Sequence, residues 1–133
     1  MILFVCESNS SLSPMAEGIF RDLCPHISVQ SAGRYSSHIR QTLRQVLRED
    51  DFDDIGLYSK DLFGVDLKGV SIVIGIGLPD ASWRLPKGLQ IDWWVVPDPS
   101  CFPADEQLDA YRALRDELRA RIERLIREKS LSS

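Results

Sequence analysis

Cysteine and histidine are scarce. The chain has three cysteines, Cys6, Cys24 and Cys101, and two histidines, His26 and His38, with no Cys-x-x-Cys and no His cluster. An odd, scattered set of thiols excludes a disulfide framework, and the missing ligand spacing excludes a zinc site; no cofactor is implied. Basic residues number 16 against 20 acidic ones, a net charge of −4. No basic field is therefore available for nucleic acid or an anionic membrane surface, and neither is an expected partner. The N-terminal apolar run, Ile2 to Cys6, is far too short to span a bilayer and has no basic leader, so a cytoplasmic protein is expected. Internal repeats, linkers and low-complexity segments are also missing. At 133 residues the chain is long enough for one packed domain and too short for two. That domain is expected over residues 1–129, with 130–133 as a frayed end.

What is present is an alternation of strand and helix patterns. Ile2 to Val5 is a run of apolar residues suited to a strand with both faces covered, and it delivers Cys6 to a loop of small polar residues, Glu7 to Ser11. Ser13 as N-cap and Pro14 in the first turn predict a helix whose apolar stripe is Met15, Ala16, Ile19, Phe20 and Leu23. The loop then lies where backbone N–H groups and the positive end of a helix converge, which is an anion site.

A second short strand is expected at Ile27 to Gln30, closing at Ser31-Ala32-Gly33, and Ser37 can cap a helix with Ile39, Leu43, Val46 and Leu47 inward. A helical turn is expected from Ser59 to Phe63. A third strand follows at Val70 to Ile74, ended by Gly75 and Gly77, and a fourth at Ile91 to Val96, stopped by Pro97-Asp98-Pro99. Trp93 and Trp94, adjacent on that strand, must face opposite sides of the sheet. Ala104 to about Lys129 reads as one long amphipathic helix. This order predicts an α/β domain with a parallel, doubly wound sheet. Cys6, the Ser31 to Arg34 turn, the Gly75 to Pro79 loop and Asp98 then meet at the carboxyl edge, where such sheets bind ligands.

Phe4-Val5-Cys6, Asn9, Ser13-Pro14-Met15-Ala16-Glu17, Phe20, Ser31-Ala32-Gly33 and Pro97-Asp98-Pro99 resemble, in order, the low-molecular-weight protein tyrosine phosphatases and the related thioredoxin-coupled arsenate reductases. The resemblance implies a four-stranded parallel sheet of order 2-1-3-4 flanked by helices, and a phosphate loop of pattern Cys-x5-Arg-Ser/Thr. It also implies roles. Cys6 is the nucleophile, Asn9 holds the loop backbone, Ser13 hydrogen-bonds the thiolate, and Asp98 is the general acid. Glu7, Ser8, Asn9, Ser10, Ser11 and Leu12 form the anion-binding loop, and its partner is a phosphate-like small anion or a phosphorylated ligand. A thiolate is stabilised among N–H donors at a helix start, so a lowered Cys6 pKa is expected.

The departures from the pattern bear directly on activity. The family's arginine falls at position 12, where this chain has Leu12, and Glu7 adds a carboxylate to the loop. An arginine acting on a phosphoryl transition state is worth about 10³ to 10⁵ in rate, which leucine cannot supply. Arg34 is the candidate substitute cation. Arsenate reduction by the familiar relay needs two cysteines after the third strand, and residues 75–85 hold none; a Cys6–Cys101 pair is the remaining redox option. The reading that follows is a catalytically degenerate member with a binding or regulatory role. The alternative is an active phosphate-monoester hydrolase working through a Cys6 phosphocysteine, with arsenate reduction ranked below both. No protein partner is named by the sequence.

Overall fold

The computed structural model describes residues 1–86 and 88–131. Four parallel strands, β1 (Ile2–Cys6), β2 (Val29–Gly33), β3 (Ile72–Ile76) and β4 (Ile91–Trp94), form one sheet in the order β2-β1-β3-β4. Three helices, α1 (Leu12–Leu23), α2 (Gln41–Glu49) and α3 (Ala104–Glu128), complete the α/β domain. This is the architecture and strand order that the sequence resemblance implied.

The period-two alternation of β1 sorts its side chains between two cores. Ile2, Phe4 and Cys6 join the core built with α1, α2 and α3, whereas Leu3 and Val5 join a smaller cluster with Ala32, Val65, Val70 and Val73. The second face is covered by two 3-10 turns, Leu62–Gly64 and Leu67–Gly69, and by the chain around Trp83, Leu85 and Leu89, where a doubly wound sheet would carry a helix. Two short turns suffice because the cluster they close is small. Trp94 packs on Phe4 with ring centroids 6.0 Å apart, and Trp93 lies on the opposite face, as their adjacency requires.

Several boundaries differ from the sequence reading: β2 runs from Val29 to Gly33, β4 ends at Trp94 and not at Val96, and α2 begins at Gln41 without a cap from Ser37. The first helix begins at Leu12, and Ser13 caps nothing, because its hydroxyl is turned to the Cys6 sulphur. The third strand runs two residues later than expected and contains Gly75, which the sequence marks as a stop. A Cβ there would sit 2.3 Å from the Trp93 ring on the neighbouring strand, so glycine is what lets that ring lie against β3. The strand stops instead at Gly77, whose φ of +122° lies outside the range of L side chains. At the other end, Leu131 folds back: its N–H donates to Ile126 O at 2.9 Å and its carbonyl accepts from Cys24 Sγ at 3.2 Å. Of the expected frayed end, 130–133, residues 132–133 lie outside the described residues.

Candidate functional site

The loop after β1 is shaped by what holds its carbonyls. The Glu7 carbonyl accepts from Arg34 N at 2.8 Å, Ser8 from Ser59 Oγ at 3.2 Å, Ser10 from Arg40 N at 3.1 Å, and Ser11 from Met15 N at 3.0 Å. With its oxygens drawn outward, the loop turns amides inward. The N–H of Ser13 donates to Cys6 Sγ at 3.5 Å, and the amides of Asn9 and Ser8 also favour charge on the sulphur. Close approach of β2 is part of this arrangement: at Gly33 a Cβ would meet Asn9 N, Glu7 O and Tyr35 O, each at 2.8 Å.

Asn9 adopts φ +51°, a left-handed conformation unusual outside glycine. It is fully buried, and its side chain accepts from Lys60 N at 2.9 Å and donates to Ser13 Oγ and Ser31 Oγ, both at 2.9 Å. A backbone N–H can only donate, which fixes the amide orientation and makes both hydroxyls acceptors from it. Their own protons are then free to go elsewhere. Ser13 Oγ shares a hydrogen bond with Cys6 Sγ at 2.8 Å, and Ser31 Oγ donates to Glu17 Oε1 at 2.6 Å. Glu17 is buried and is compensated by Arg21 one turn on and by Lys60 Nζ at 3.8 Å. A continuous polar chain thus runs from the thiol through Ser13, Asn9 and Ser31 to a buried ion pair.

Burial pushes the Cys6 thiol above its ordinary value, and the hydrogen bonds from Ser13, Asn9 and Ser8 recover only part of that. The lowered pKa expected from the loop position is reversed. Amide dipoles alone do not outweigh desolvation when no cation faces the sulphur. Burial likewise lowers the Lys60 ammonium, against the opposing pull of Glu17.

Above Cys6 opens a cavity of about 510 Å³. Its walls are Leu12, Ile76, Leu78, Trp83, Trp93 and Val96, and among the described residues the charged side chains lining it are Glu7, Asp80 and Asp98, all carboxylates. Leu12 occupies the loop's final position beside Gly77, where a Cβ would be 3.4 Å from its methyl. Asp98 lines the cavity while its Oδ1 accepts from Ser100 N at 2.9 Å and Ser100 Oγ at 2.8 Å, capping the 3-10 turn Pro99–Cys101. Arg34 stands at the rim with its guanidinium engaged: it donates to Asp80 Oδ2 at 2.6 Å and to Ser82, stands 3.4 Å from Glu7, and lies 4.9 Å over the Trp83 ring. Asp80 is held below the usual carboxylate range by the Ser82 hydroxyl and amide, with Arg34 adding to them.

The structure therefore gathers Cys6, the loop, Ser13, Asp98 and Cys101 at one strand edge. His26 and His38 are exposed. Among the described residues no group of three or more His, Cys, Asp or Glu could hold a metal, and no helix is long and apolar enough to cross a membrane. The supporting pair Glu17 and Lys60 was missed as such. Its signal was readable in part, since a carboxylate four residues after Ser13 shares that residue's face of α1 and, if buried there, needs a partner. Lys60, distant in sequence, gave none.

A family profile described as low molecular weight phosphotyrosine protein phosphatase matches residues 1–79. The chain belongs to this family. Among its relatives is the glutaredoxin arsenate reductase of Synechocystis sp., 29% identical over 131 residues, which cover 94% of this chain and 95% of that protein. Among solved structures, an arsenate reductase in a phosphate-binding state is 28% identical with a TM-score of 0.79, covering 96% of each chain. A low molecular weight protein tyrosine phosphatase from T. tengcongensis is 25% identical with a TM-score of 0.75, covering 96% of this chain and 97% of that one. The low molecular weight phosphatase family thus presents both phosphatases and arsenate reductases as relatives of this chain. The sequence reading ranked arsenate reduction last, and its prominence among the relatives puts it beside the phosphatases.

Proposed function

We propose that this chain is a member of the family that grips a small oxyanion through the amides of the Cys6 loop and transfers phosphoryl groups poorly, serving a binding or regulatory role. The observation that supports this is the charge of the cavity: Leu12 stands at the clamp position, and among the described residues the charged side chains lining the cavity are Glu7, Asp80 and Asp98. Arg34 is a poor substitute for the clamp in this reading, since its Nη2 is held by Asp80 and Ser82 and its guanidinium lies beside Glu7 and over Trp83, although its buried Nε has no hydrogen-bond partner among the described residues. A misplaced unit charge at about 4 Å costs each negative charge of an incoming anion roughly 4 kcal/mol at an effective dielectric near 20. Inward amides offset part of that and account for weak retention of an anion. In this reading Cys6 keeps its place as nucleophile, Ser13 orients it, and Asp98 is placed to donate a proton yet remains bound to its own turn. The test is titration of inorganic phosphate against the wild type and Arg34→Ala, followed by nitrogen-15 shifts of the loop amides. Millimolar or weaker binding, unchanged in Arg34→Ala, is expected; micromolar binding lost in that variant would overturn the reading.

A second reading, arsenate reduction, is favoured by the relatives, with identities of 28–29% over more than nine-tenths of each chain. Cys24 and Cys101 are the only further thiols in this chain, and of them Cys101 shares the cavity with Cys6. Arsenite release from arsenate in the presence of a thiol reductant would establish this reading; its absence would leave the first standing alone.

A further inference from the structure

The three cysteines are not equivalent. Cys24 is buried after α1 with its thiol on the Leu131 carbonyl, among residues of the chain's C-terminal end. Cys6 and Cys101 line one cavity, Cys6 4% exposed and Cys101 exposed on the three-residue turn between β4 and α3. The turn is anchored by Asp98, whose carbonyl accepts from Cys101 N at 3.0 Å.

We propose that Cys101 is the resolving thiol for Cys6, closing a Cys6–Cys101 disulfide across the cavity once a small two-electron oxidant has reacted at Cys6. The inference goes beyond the oxyanion reading, since it rests on two thiols facing one cavity and not on phosphate affinity. A cavity of about 510 Å³ lined by Cys6, Leu12, Trp83 and Trp93 has room for a small oxidant at the sulphur. The inward amides and the Ser13 hydroxyl are positioned to bind an oxygen-bearing reagent there. Bridged cysteines have Cα atoms about 4.4–6.8 Å apart. Cys101, on a short exposed turn outside the sheet, is the half that adjusts to reach that separation.

With a peroxide, the Cys6 sulphur attacks one peroxide oxygen, the O–O bond breaks, and the departing hydroxide takes the thiol proton as water. Cys6 is then a sulfenic acid. The Cys101 thiol attacks that sulphur, the S–S bond forms as the S–O bond breaks, and a second water carries away the Cys101 proton. The thiol pair loses two electrons and the peroxide gains two. With arsenate, Cys6 first displaces water to form an S–As bond. Attack by Cys101 on the Cys6 sulphur then leaves the S–As electron pair on arsenic, releasing arsenite.

The test oxidises the full chain with hydrogen peroxide in one arm and arsenate in the other, blocks remaining thiols, and maps peptides without reduction by mass spectrometry. The expected result is an intact mass lower by two hydrogens and one linked peptide pair holding Cys6 and Cys101. In Cys101→Ser that pair is lost, and a dimedone adduct accumulates on Cys6 in the peroxide arm. The arm that yields the bridge identifies the oxidant. No Cys6–Cys101 link in either arm, a link to Cys24, links only between molecules, or equal dimedone trapping in wild type and Cys101→Ser would each overturn the proposal. Phosphate titration is unaffected by any of these outcomes, so failure here is separate from failure of the oxyanion reading.

Discussion

Asn9 carries more of the site than its neighbours in the loop. Its side chain alone partners the Lys60 amide, and through Ser13 it connects to the thiol. Removing it strands a buried donor and leaves a left-handed backbone without support. Asn9→Ala should therefore destabilise the fold by about 2–4 kcal/mol, read by urea denaturation. An effect within noise would mean the loop holds its own shape. Cys6 itself makes a second prediction. Because burial holds its proton on, ionisation of the thiol favours the unfolded state: stability is complete below the ordinary thiol range and declines as pH rises through the folded value. Alkylation of Cys6 by iodoacetamide should be slow at neutral pH and should accelerate only at a pH above that needed for a free thiol. Rapid alkylation at pH 7 would show that the amides prevail over desolvation.

The elements explain which parts of this were legible. β1 and its loop were readable because an apolar run, a string of small polar residues and a helix start are all local signals. Ser13 was read correctly as important and wrongly as a cap, since only the folded loop shows that its hydroxyl has a sulphur to reach. Gly75 was misread for a similar reason: the ring that requires it, Trp93, belongs to another strand. The packing of α2 on α3 was not legible at all, because the exposed faces of both helices read as solvated charge. Glu49 on α2 accepts from Arg112 on α3 at 3.0 and 2.8 Å, and Arg112 lowers its pKa to about 2. A depressed carboxylate contributes stability above its ordinary value and loses it as pH falls toward about 2. Glu49→Gln should accordingly lower the thermal midpoint at pH 7 by on the order of 1–3 °C, with the difference from wild type shrinking below pH 4. A difference that persists to the lowest pH would assign the loss to packing instead of charge.

At the scale of the whole molecule, fold and site part company. The sheet order, the helices and the meeting of Cys6, Asp98 and Cys101 at one edge all follow from a pattern of strands and helices in order along the chain. The charge of the cavity does not, because it depends on which side chains face inward: Arg34 was a reasonable candidate by position and is taken up by Glu7, Asp80, Ser82 and Trp83. In the proposed reading, the leucine at position 12 is what limits phosphoryl transfer on this fold. The direct measurement is kcat/KM for an aryl phosphate in the wild type, Leu12→Arg and Cys6→Ser. The wild type should be barely above Cys6→Ser, and Leu12→Arg should exceed it by about 10³ if the clamp is what is missing. Wild-type turnover well above Cys6→Ser with no gain from the arginine would contradict a site disabled at Leu12.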